Sequence, residues 1–180
     1  MAAEERRPEN HQAENHQPGD HRAEDYRAGA ALMLLNARRE AFIAQRIDNP
    51  GPAWQMPQGG LEKGETARDG ALRELWEETS IRPERVALLA ELPAWLYYDL
   101  PSALAGSLWK GRYRGQRQRW FCGVFLGSDG EVDLETEHPE FSTWRWAPVP
   151  DTLDLIVPFK RDIYRAVIDH FRPYWADRPL

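Results

Sequence analysis

The sequence predicts an α+β fold, an α/β/α sandwich in which a mixed β-sheet is packed between helices. Three observations lead to this prediction. Short apolar runs are separated by polar or glycine- and proline-rich turns, which is typical of strands. Two other segments, residues 66–79 and 159–171, carry apolar residues at helical spacing. Strands and helices do not alternate strictly, so the sheet is expected to be mixed.

The strands are predicted wherever an apolar run is bounded by turn-forming residues. They cover residues 29–38, 41–47, 85–100, 117–127 and 142–149. The run 85–100 is expected to end in a turn. Residues 49–65 are dense in glycine and proline, so this segment is predicted to be a loop.

The helices are predicted from a start signal and from apolar spacing. The first runs from about Thr66 to Thr79, and Thr66 followed by Asp69 resembles a capping box. The second helix is predicted at 159–171. Apolar side chains recur at helical spacing in both: Ala67, Ala71, Leu72 and Leu75 in the first, and Ile163, Val167 and Phe171 in the second.

Length and composition indicate one globular domain in a reducing compartment. A chain of 180 residues can bury a sizeable core. Its net charge of −6 excludes attraction of the whole molecule to nucleic acid, although a local basic patch could hold a phosphate chain. The single cysteine, Cys122, excludes an internal disulfide. Neither an apolar signal-peptide core nor a membrane-spanning run is present, so we expect a cytoplasmic protein.

The N-terminal segment differs from the rest of the chain. Residues 1–25 contain no Ile, Leu, Val, Phe or Trp, so we predict a disordered polar tail followed by the folded domain at 26–175. The tail carries an imperfect five-residue repeat that spaces His11, His16 and His21 five apart. Five residues is not a same-face helical spacing, so a solvated tail is favoured over a transition-metal site.

The segment "RELWEETS" concentrates negative charge on the predicted first helix. Glu74, Glu77 and Glu78 lie on one helical face, and like charges at this spacing cost a few tenths of a kcal/mol. A hard divalent cation such as Mg²⁺ would reverse the sign of that interaction. Arg73 could pair with Asp69 or Glu77, so a purely structural explanation also stays open.

The residues upstream of these glutamates favour the metal site. Gly59, five residues, Glu65, seven residues, then Arg73-Glu74-Leu75, one residue and Glu77-Glu78 resemble the Nudix box. The one departure is Ser80, where the family has glycine. Because serine is unfavourable in the left-handed conformation by about 1 kcal/mol, we expect an altered local backbone with activity retained.

The resemblance implies the Nudix fold and cleavage of a diphosphate linked to another group, with Mg²⁺ as cofactor and Mn²⁺ or Zn²⁺ as substitutes. It implies that the metals are held by Glu74, Glu77, Glu78 and the Gly59 carbonyl. Glu65 and Arg73 match positions that orient the loop and the helix of the catalytic centre. Metals held by carboxylates neutralise phosphate charge and activate the attacking water.

Other segments resemble one branch of the family, the bacterial RNA pyrophosphohydrolases and dinucleoside polyphosphate hydrolases. They are residues 54–60, 94–101, 115–121, 138–146 and 157–164. The branch implies hydrolysis of the 5′-triphosphate end of RNA to a monophosphate, with release of pyrophosphate or phosphate, which promotes RNA decay. The alternative substrate is diadenosine tetraphosphate, giving ATP and AMP. A third possibility is a catalytically silent RNA- or nucleotide-binding module, with Ser80 as the mark of decay.

The branch also implies further site residues. Glu140 matches a glutamate that ligates metal or serves as general base. Tyr98 and Phe159 match aromatic positions near the nucleobase. Positively charged matches near the phosphates are Arg27, Arg46 and Lys160.

Two features of the sequence qualify these expectations. The family's Tyr-Arg-Pro reads Tyr-Arg-Ala at 26–28, so the approach to Arg27 is expected to be less rigid. The basic segment 110–119 should place Arg117 and Arg119 on one face of a strand. That face is either a rim for an RNA backbone or a solvated surface.

Overall fold

The computed structural model describes residues 21–49 and 51–176. Residues 1–20 of the predicted tail, with His11 and His16, lie outside the described residues. Within the tail, His21 is described: its ring stacks on Tyr97 with centroids 4.7 Å apart, and its Nδ1 lies 2.8 Å from the Tyr26 hydroxyl. No helix in the described ranges has the length and apolar character needed to cross a membrane.

In the described part of the chain, seven strands form one sheet, which is mixed as predicted but has two strands more than the five expected. They are β1 (Tyr26–Leu35), β2 (Ala41–Arg46), β3 (Trp54–Gln55), β4 (Gln58–Gly60), β5 (Val86–Asp99), β6 (Gly115–Phe125) and β7 (Phe141–Ala147). Five of the strands lie side by side in the order β3-β2-β1-β6-β5. In addition, β4 pairs with β1 and β7 pairs with β2. Among the described strand pairs, β1 and β6 are the parallel one, and Tyr26 is paired with Gly115.

Within residues 21–49 and 51–176, five α-helices and several 3₁₀ turns connect and cover the strands. The helices are α1 (Ala67–Thr79), α2 (Ser102–Ala105), α3 (Thr152–Leu155), α4 (Arg161–His170) and α5 (Arg172–Trp175). The 3₁₀ turns are Ala23–Asp25, Pro83–Arg85, Leu108–Gly111, Asp129–Glu131, Val149–Asp151 and Pro158–Lys160.

The sheet has an apolar core on each face, which confirms the α/β/α sandwich. Along β1, Leu32 and Leu34 pack with Leu75 of α1. The alternate residue Met33 packs on the opposite face with Val167 of α4. Because β1 is covered on both sides, its side chains from Ala30 to Leu35 are all fully buried.

The segment from 49 to 65 differs from its predicted loop, because it contains β3 and β4. These strands have only two and three residues, too few for a periodic apolar signal. Their backbone groups pair with β2 and β1. This pairing fixes the path of the chain into α1, and it brings Gly59 and Gly60 beside the helix.

The two ends of helix α1 are capped in different ways. Thr66 caps its N-terminus by accepting a hydrogen bond from the Asp69 backbone N–H at 3.1 Å, as predicted. At the C-terminus, Ser80 has φ 62° and ψ 4°, and its N–H donates to the Trp76 carbonyl. The expectation of an altered backbone at Ser80 is therefore wrong: serine adopts the left-handed conformation that glycine would favour.

Candidate active site

One cleft collects most of the residues that the sequence singled out. It has a volume of about 410 Å³ and is bounded by β1, β3, β4, β5 and the turn before α4. The predicted site residues that line it are Arg27, Arg46, Gly59, Glu74, Tyr98, Glu140, Phe159 and Lys160. A second depression contains Glu77 and Glu78, and Glu74 and Glu140 line both spaces. The predicted metal residues thus lie next to the predicted substrate residues.

Arg73 holds the loop before α1 against the helix. Its Nε and one terminal nitrogen donate to the two oxygens of Glu65 at 2.7 and 2.9 Å. The same terminal nitrogen donates to the Gly60 carbonyl at 2.8 Å. Glu65 also accepts from the Glu62 backbone N–H, and the Arg73 hydrogen bond lowers the pKa of Glu65. This geometry agrees with an orienting role for both residues.

The other terminal nitrogen of Arg73 reaches two of the three clustered glutamates. It lies 3.0 Å from Glu74 and 2.8 Å from Glu77. Of the two partners considered from the sequence, Glu77 is therefore confirmed. Asp69 is not a partner of Arg73, because its carboxylate accepts from the Thr66 hydroxyl instead.

Glu78 is the most buried carboxylate of the site, with 3% of its surface exposed. Its Oε2 accepts a hydrogen bond from the Gln58 backbone N–H at 3.1 Å. Its Oε1 has no hydrogen-bond partner among the described residues. Burial, and then the charges of Glu140 and Glu74, raise the pKa of Glu78 well above its usual value. A buried carboxylate with one free oxygen is suited to a cation.

Glu74 lies against the backbone of β4. A Cβ added at Gly59 would overlap the Glu74 carboxylate, so this approach requires glycine. Burial raises the pKa of Glu74, although the adjacent Arg73 opposes this shift. Glu77 differs, because about half of its side chain is exposed and it faces the second depression.

Glu140 joins the site from the segment just before β7. Its Oε2 accepts from Arg46 at 3.0 Å, and Arg46 also forms a two-pronged ion pair with Asp48 at 2.7 Å for both contacts. Within residues 21–49 and 51–176, no three acidic, histidine or cysteine side chains already form a metal-binding group. Arg73 instead pairs with Glu74 and Glu77, and Arg46 pairs with Glu140.

The donor set nevertheless fits a hard divalent cation. The charge of Glu140 contributes to raising the pKa of both Glu74 and Glu78, and the charge of Glu74 contributes to raising that of Glu78. Carboxylate oxygens are the ligands that Mg²⁺ and Mn²⁺ prefer. A cation would relieve this mutual repulsion and satisfy the free Glu78 oxygen.

The far wall of the cleft combines aromatic rings with a buried lysine. The rings of Tyr98 and Phe159 are 5.7 Å apart, and the Lys160 Nζ lies 5.3 Å from the centre of the Tyr98 ring. Lys160 is 7% exposed and donates to Gln55 Oε1 at 3.3 Å. Burial lowers the pKa of Lys160 to about 7. Tyr98 is only 8% exposed, so Phe159 presents the more accessible ring of the two.

A glutamine network behind the cleft was not predicted. Gln118 donates to Gln58 at 2.9 Å and to Gln116 at 2.8 Å, and Gln116 accepts from the Tyr98 hydroxyl at 2.9 Å. The sequence did contain a signal for this network. Gln116 and Gln118 alternate with arginines along β6, which places the two amides on one face of a strand.

The predicted pairing of Arg117 and Arg119 on one face is confirmed, but that face is not the cleft. Both guanidinium groups lie over the Trp95 ring, at 4.6 and 5.7 Å from its centre. Arg119 also pairs with Glu91. Because Gln116 and Gln118 alternate with these arginines and back the cleft, the Trp95 face is on the other side of the sheet.

Comparison with known proteins identifies the family. A family model described as NUDIX domain matches residues 25–167. An RNA pyrophosphohydrolase of Roseobacter denitrificans is 57% identical over 143 residues, which cover 79% of this chain and 89% of that protein. An RNA pyrophosphohydrolase of Cereibacter sphaeroides is 53% identical over 145 residues, covering 81% and 90%.

Solved structures with the same architecture are more distant in sequence. The C. elegans Ap4A hydrolase superimposes with a TM-score of 0.60 at 19% identity, covering 82% of this chain and 98% of that one. The E. coli dihydroneopterin triphosphate pyrophosphohydrolase gives 0.60 at 21% identity, covering 81% and 98%. At this identity the likeness concerns the fold alone. Together with the family match and the relatives above half identity, it shows that the chain belongs to the Nudix family of metal-dependent hydrolases, which act on phosphoric anhydride bonds.

Proposed function

We propose that this Nudix hydrolase is an RNA pyrophosphohydrolase, which converts the 5′-triphosphate end of RNA to a 5′-monophosphate and releases pyrophosphate or phosphate. The observation that carries the proposal is the cleft, where clustered carboxylates adjoin three cationic side chains and an accessible aromatic ring. The names of the relatives from Roseobacter denitrificans and Cereibacter sphaeroides support the choice of RNA.

Mg²⁺ is the proposed cofactor, held by Glu74, Glu77, Glu78 and Glu140 with the Gly59 carbonyl. When bound, the cation neutralises phosphate charge and activates water. Mn²⁺ is expected to substitute, because it prefers the same oxygen ligands. Arg73 and Arg46 lie within 3.0 Å of three of these carboxylates, so they would share the carboxylate oxygens with the cation.

The protein side chains then have separate tasks. Arg27, Arg46 and Lys160 supply counter-charge to the triphosphate from the cleft wall. The Phe159 ring is available for stacking on a nucleobase, and the Tyr98 ring packs next to Phe159. Glu140 lies at the boundary between the two depressions, where its carboxylate can accept a proton from the attacking water.

The product defines the cellular consequence that we propose. A 5′-monophosphate end exposes a transcript to decay, and we propose that the enzyme acts on such transcripts in the cytoplasm. The buried thiol of Cys122 is consistent with a reducing compartment.

The test compares two substrates under identical conditions. The purified protein with Mg²⁺ receives equal concentrations of 5′-triphosphate RNA and diadenosine tetraphosphate in separate reactions, and initial rates and products are compared. We expect faster release of pyrophosphate or phosphate from RNA, leaving a 5′-monophosphate. Faster formation of ATP and AMP would overturn the proposal in favour of dinucleoside polyphosphate hydrolysis.

A further inference from the structure

Arg27 lies in the cleft between the β4 backbone and an indole ring, with no acidic partner in the part of the chain that the structure describes. A Cβ added at Gly60 would overlap the Arg27 guanidinium, so the guanidinium lies directly against the β4 backbone. On another side, the Arg27 Cζ lies 5.4 Å from the centre of the Trp109 ring. Among the described residues Arg27 forms no ion pair, whereas Arg46 and Arg73 each form at least two.

This arrangement leaves the donor groups of Arg27 available. A guanidinium donates hydrogen bonds in its own plane, so a ring that covers its face leaves those N–H groups unoccupied. A carboxylate partner would take up some of these donors and offset part of the charge, as Asp48 and Glu140 do for Arg46. Because Arg27, Trp109 and Glu74 line the same cleft, an oxyanion that enters can reach the unoccupied edge.

The backbone at Trp109 is also unusual. Trp109 has φ 51° and ψ 31°, and Lys110 has φ 58° and ψ 31°. Two consecutive non-glycine residues in the left-handed region are unfavourable, and such conformations cluster at functional sites. These two left-handed residues interrupt the 3₁₀ turn Leu108–Gly111, and the Trp109 side chain of this turn lines the cleft.

We propose that Trp109 is a positioning residue that holds Arg27, against Gly60, in the orientation that binds the substrate's phosphates. This inference rests on the proposed function, in which Arg27 contacts the 5′-triphosphate. Its physical basis is preorganisation: an arginine already fixed in its binding orientation loses less freedom when the substrate binds. The role is distinct from direct stacking of Trp109 on a base, because Trp109 then acts only through Arg27.

A double-mutant cycle separates these two roles. Initial rates on 5′-triphosphate RNA are measured for the wild-type protein, Trp109→Ala, Arg27→Ala and the double variant. We expect Trp109→Ala to raise KM roughly five- to tenfold with kcat nearly unchanged, the scale of one partly desolvated cation–π contact. In the Arg27→Ala background, Trp109→Ala should have no further effect on KM. An equal loss in both backgrounds would overturn the proposal.

Two further variants guard against a general loss of structure. Trp109→Phe keeps an aromatic face and should recover most of the wild-type KM. Gly60→Ala changes a different element but displaces the same guanidinium, so its KM should rise and should likewise be insensitive to Trp109→Ala. If Trp109→Phe behaved as Trp109→Ala, contact with the Arg27 face would not be the cause.

A spectroscopic measurement makes the result independent of the substrate. In the NMR spectrum of the ¹⁵N-labelled protein, the Arg27 Nε–H resonance should show a ring-current shift that Trp109→Ala abolishes. An unchanged resonance would overturn the positioning of Arg27. If that shift is present and the wild-type protein does not hydrolyse 5′-triphosphate RNA, the proposed function fails while the contact itself stands.

Discussion

Glu78 is a buried carboxylate whose ionised form is only partly stabilised by the surrounding protein groups. Its carboxylate is buried, receives one backbone hydrogen bond and has a free oxygen, and two other carboxylates raise its pKa further. Its helical position and its match to the Nudix box were visible in the sequence. Its burial and its neighbour Glu140, 62 residues away, could not be read from local spacing, because they depend on how β7 pairs with β2.

Replacing Glu78 with glutamine tests the site assignment directly. Glutamine keeps an acceptor for the Gln58 N–H but removes the charge that would hold a cation. We expect kcat on 5′-triphosphate RNA to fall roughly 100-fold or more, the scale of losing one charge-stabilising group. Retained folding is checked by circular dichroism. Unchanged turnover would contradict the metal site, and no turnover in the wild-type protein would favour a silent binding module.

Lys160 predicts a pH dependence of substrate binding. Its pKa in the free protein is lowered to about 7, and a triphosphate binds the charged form. Affinity should therefore be full below pH 7 and should decline as pH rises above 7, by up to about tenfold per pH unit for one linked proton. The measurement is KM from pH 6 to 9. Lys160→Met should flatten the profile, whereas Lys63→Met, at an exposed lysine, should not.

At the level of elements, α1 was the most predictable part of the molecule. Its cap at Thr66 and its apolar stripe are local signals, and the helix forms where they place it. Strands β3 and β4 were missed because two or three residues with glycine and proline give no periodicity, and only pairing with β2 and β1 defines them. The orientation of Trp109 was equally hidden, since it results from a turn with left-handed residues.

The C-terminus of α1 offers a stability prediction. Ser80 is left-handed, a conformation that costs an L-residue roughly 1–2 kcal/mol. Ser80→Gly should therefore raise the free energy of unfolding by about 1 kcal/mol, equivalent to a rise in Tm of roughly 2–4 °C, with kcat unchanged. The measurement is thermal denaturation.

Gly64 provides the matched control in the reverse direction. It has φ 82° with open space around it, so Gly64→Ala should lower the stability through the backbone alone. If both substitutions moved Tm in the same direction, left-handed backbone strain would not explain either result.

For the whole molecule, the buried carboxylates link stability to both pH and metal. A carboxyl group whose pKa is raised in the folded state stabilises that state below its unfolded pKa, and this contribution disappears as pH rises through the folded value. Glu74 and Glu78 both have raised pKa values. The metal-free protein should therefore become less stable as pH rises above the ordinary glutamate pKa of about 4.3 and through the raised pKa values of these two groups.

Mg²⁺ should reverse this trend, because it binds the ionised carboxylates. At 100 times its Kd it would add about 2.7 kcal/mol to the free energy of unfolding. The expected result is a larger Mg²⁺-induced rise in Tm at pH 8 than at pH 6, measured with chelated protein as the reference. Glu78→Gln should reduce both the pH dependence and the response to Mg²⁺.

The parallel pairing of β1 with β6 also determines when the protein can fold during synthesis. Tyr26 pairs with Gly115, so the central strand leaves the ribosome about 90 residues before its partner. At roughly 5–20 residues per second, this is a delay of several seconds. During that time the apolar run Ala30–Leu35, which is fully buried in the folded protein, can pair with β2 and β4 but lacks β6 on its other edge. We therefore expect this open edge of β1 to be a place where a ribosome-associated chaperone acts on the nascent chain.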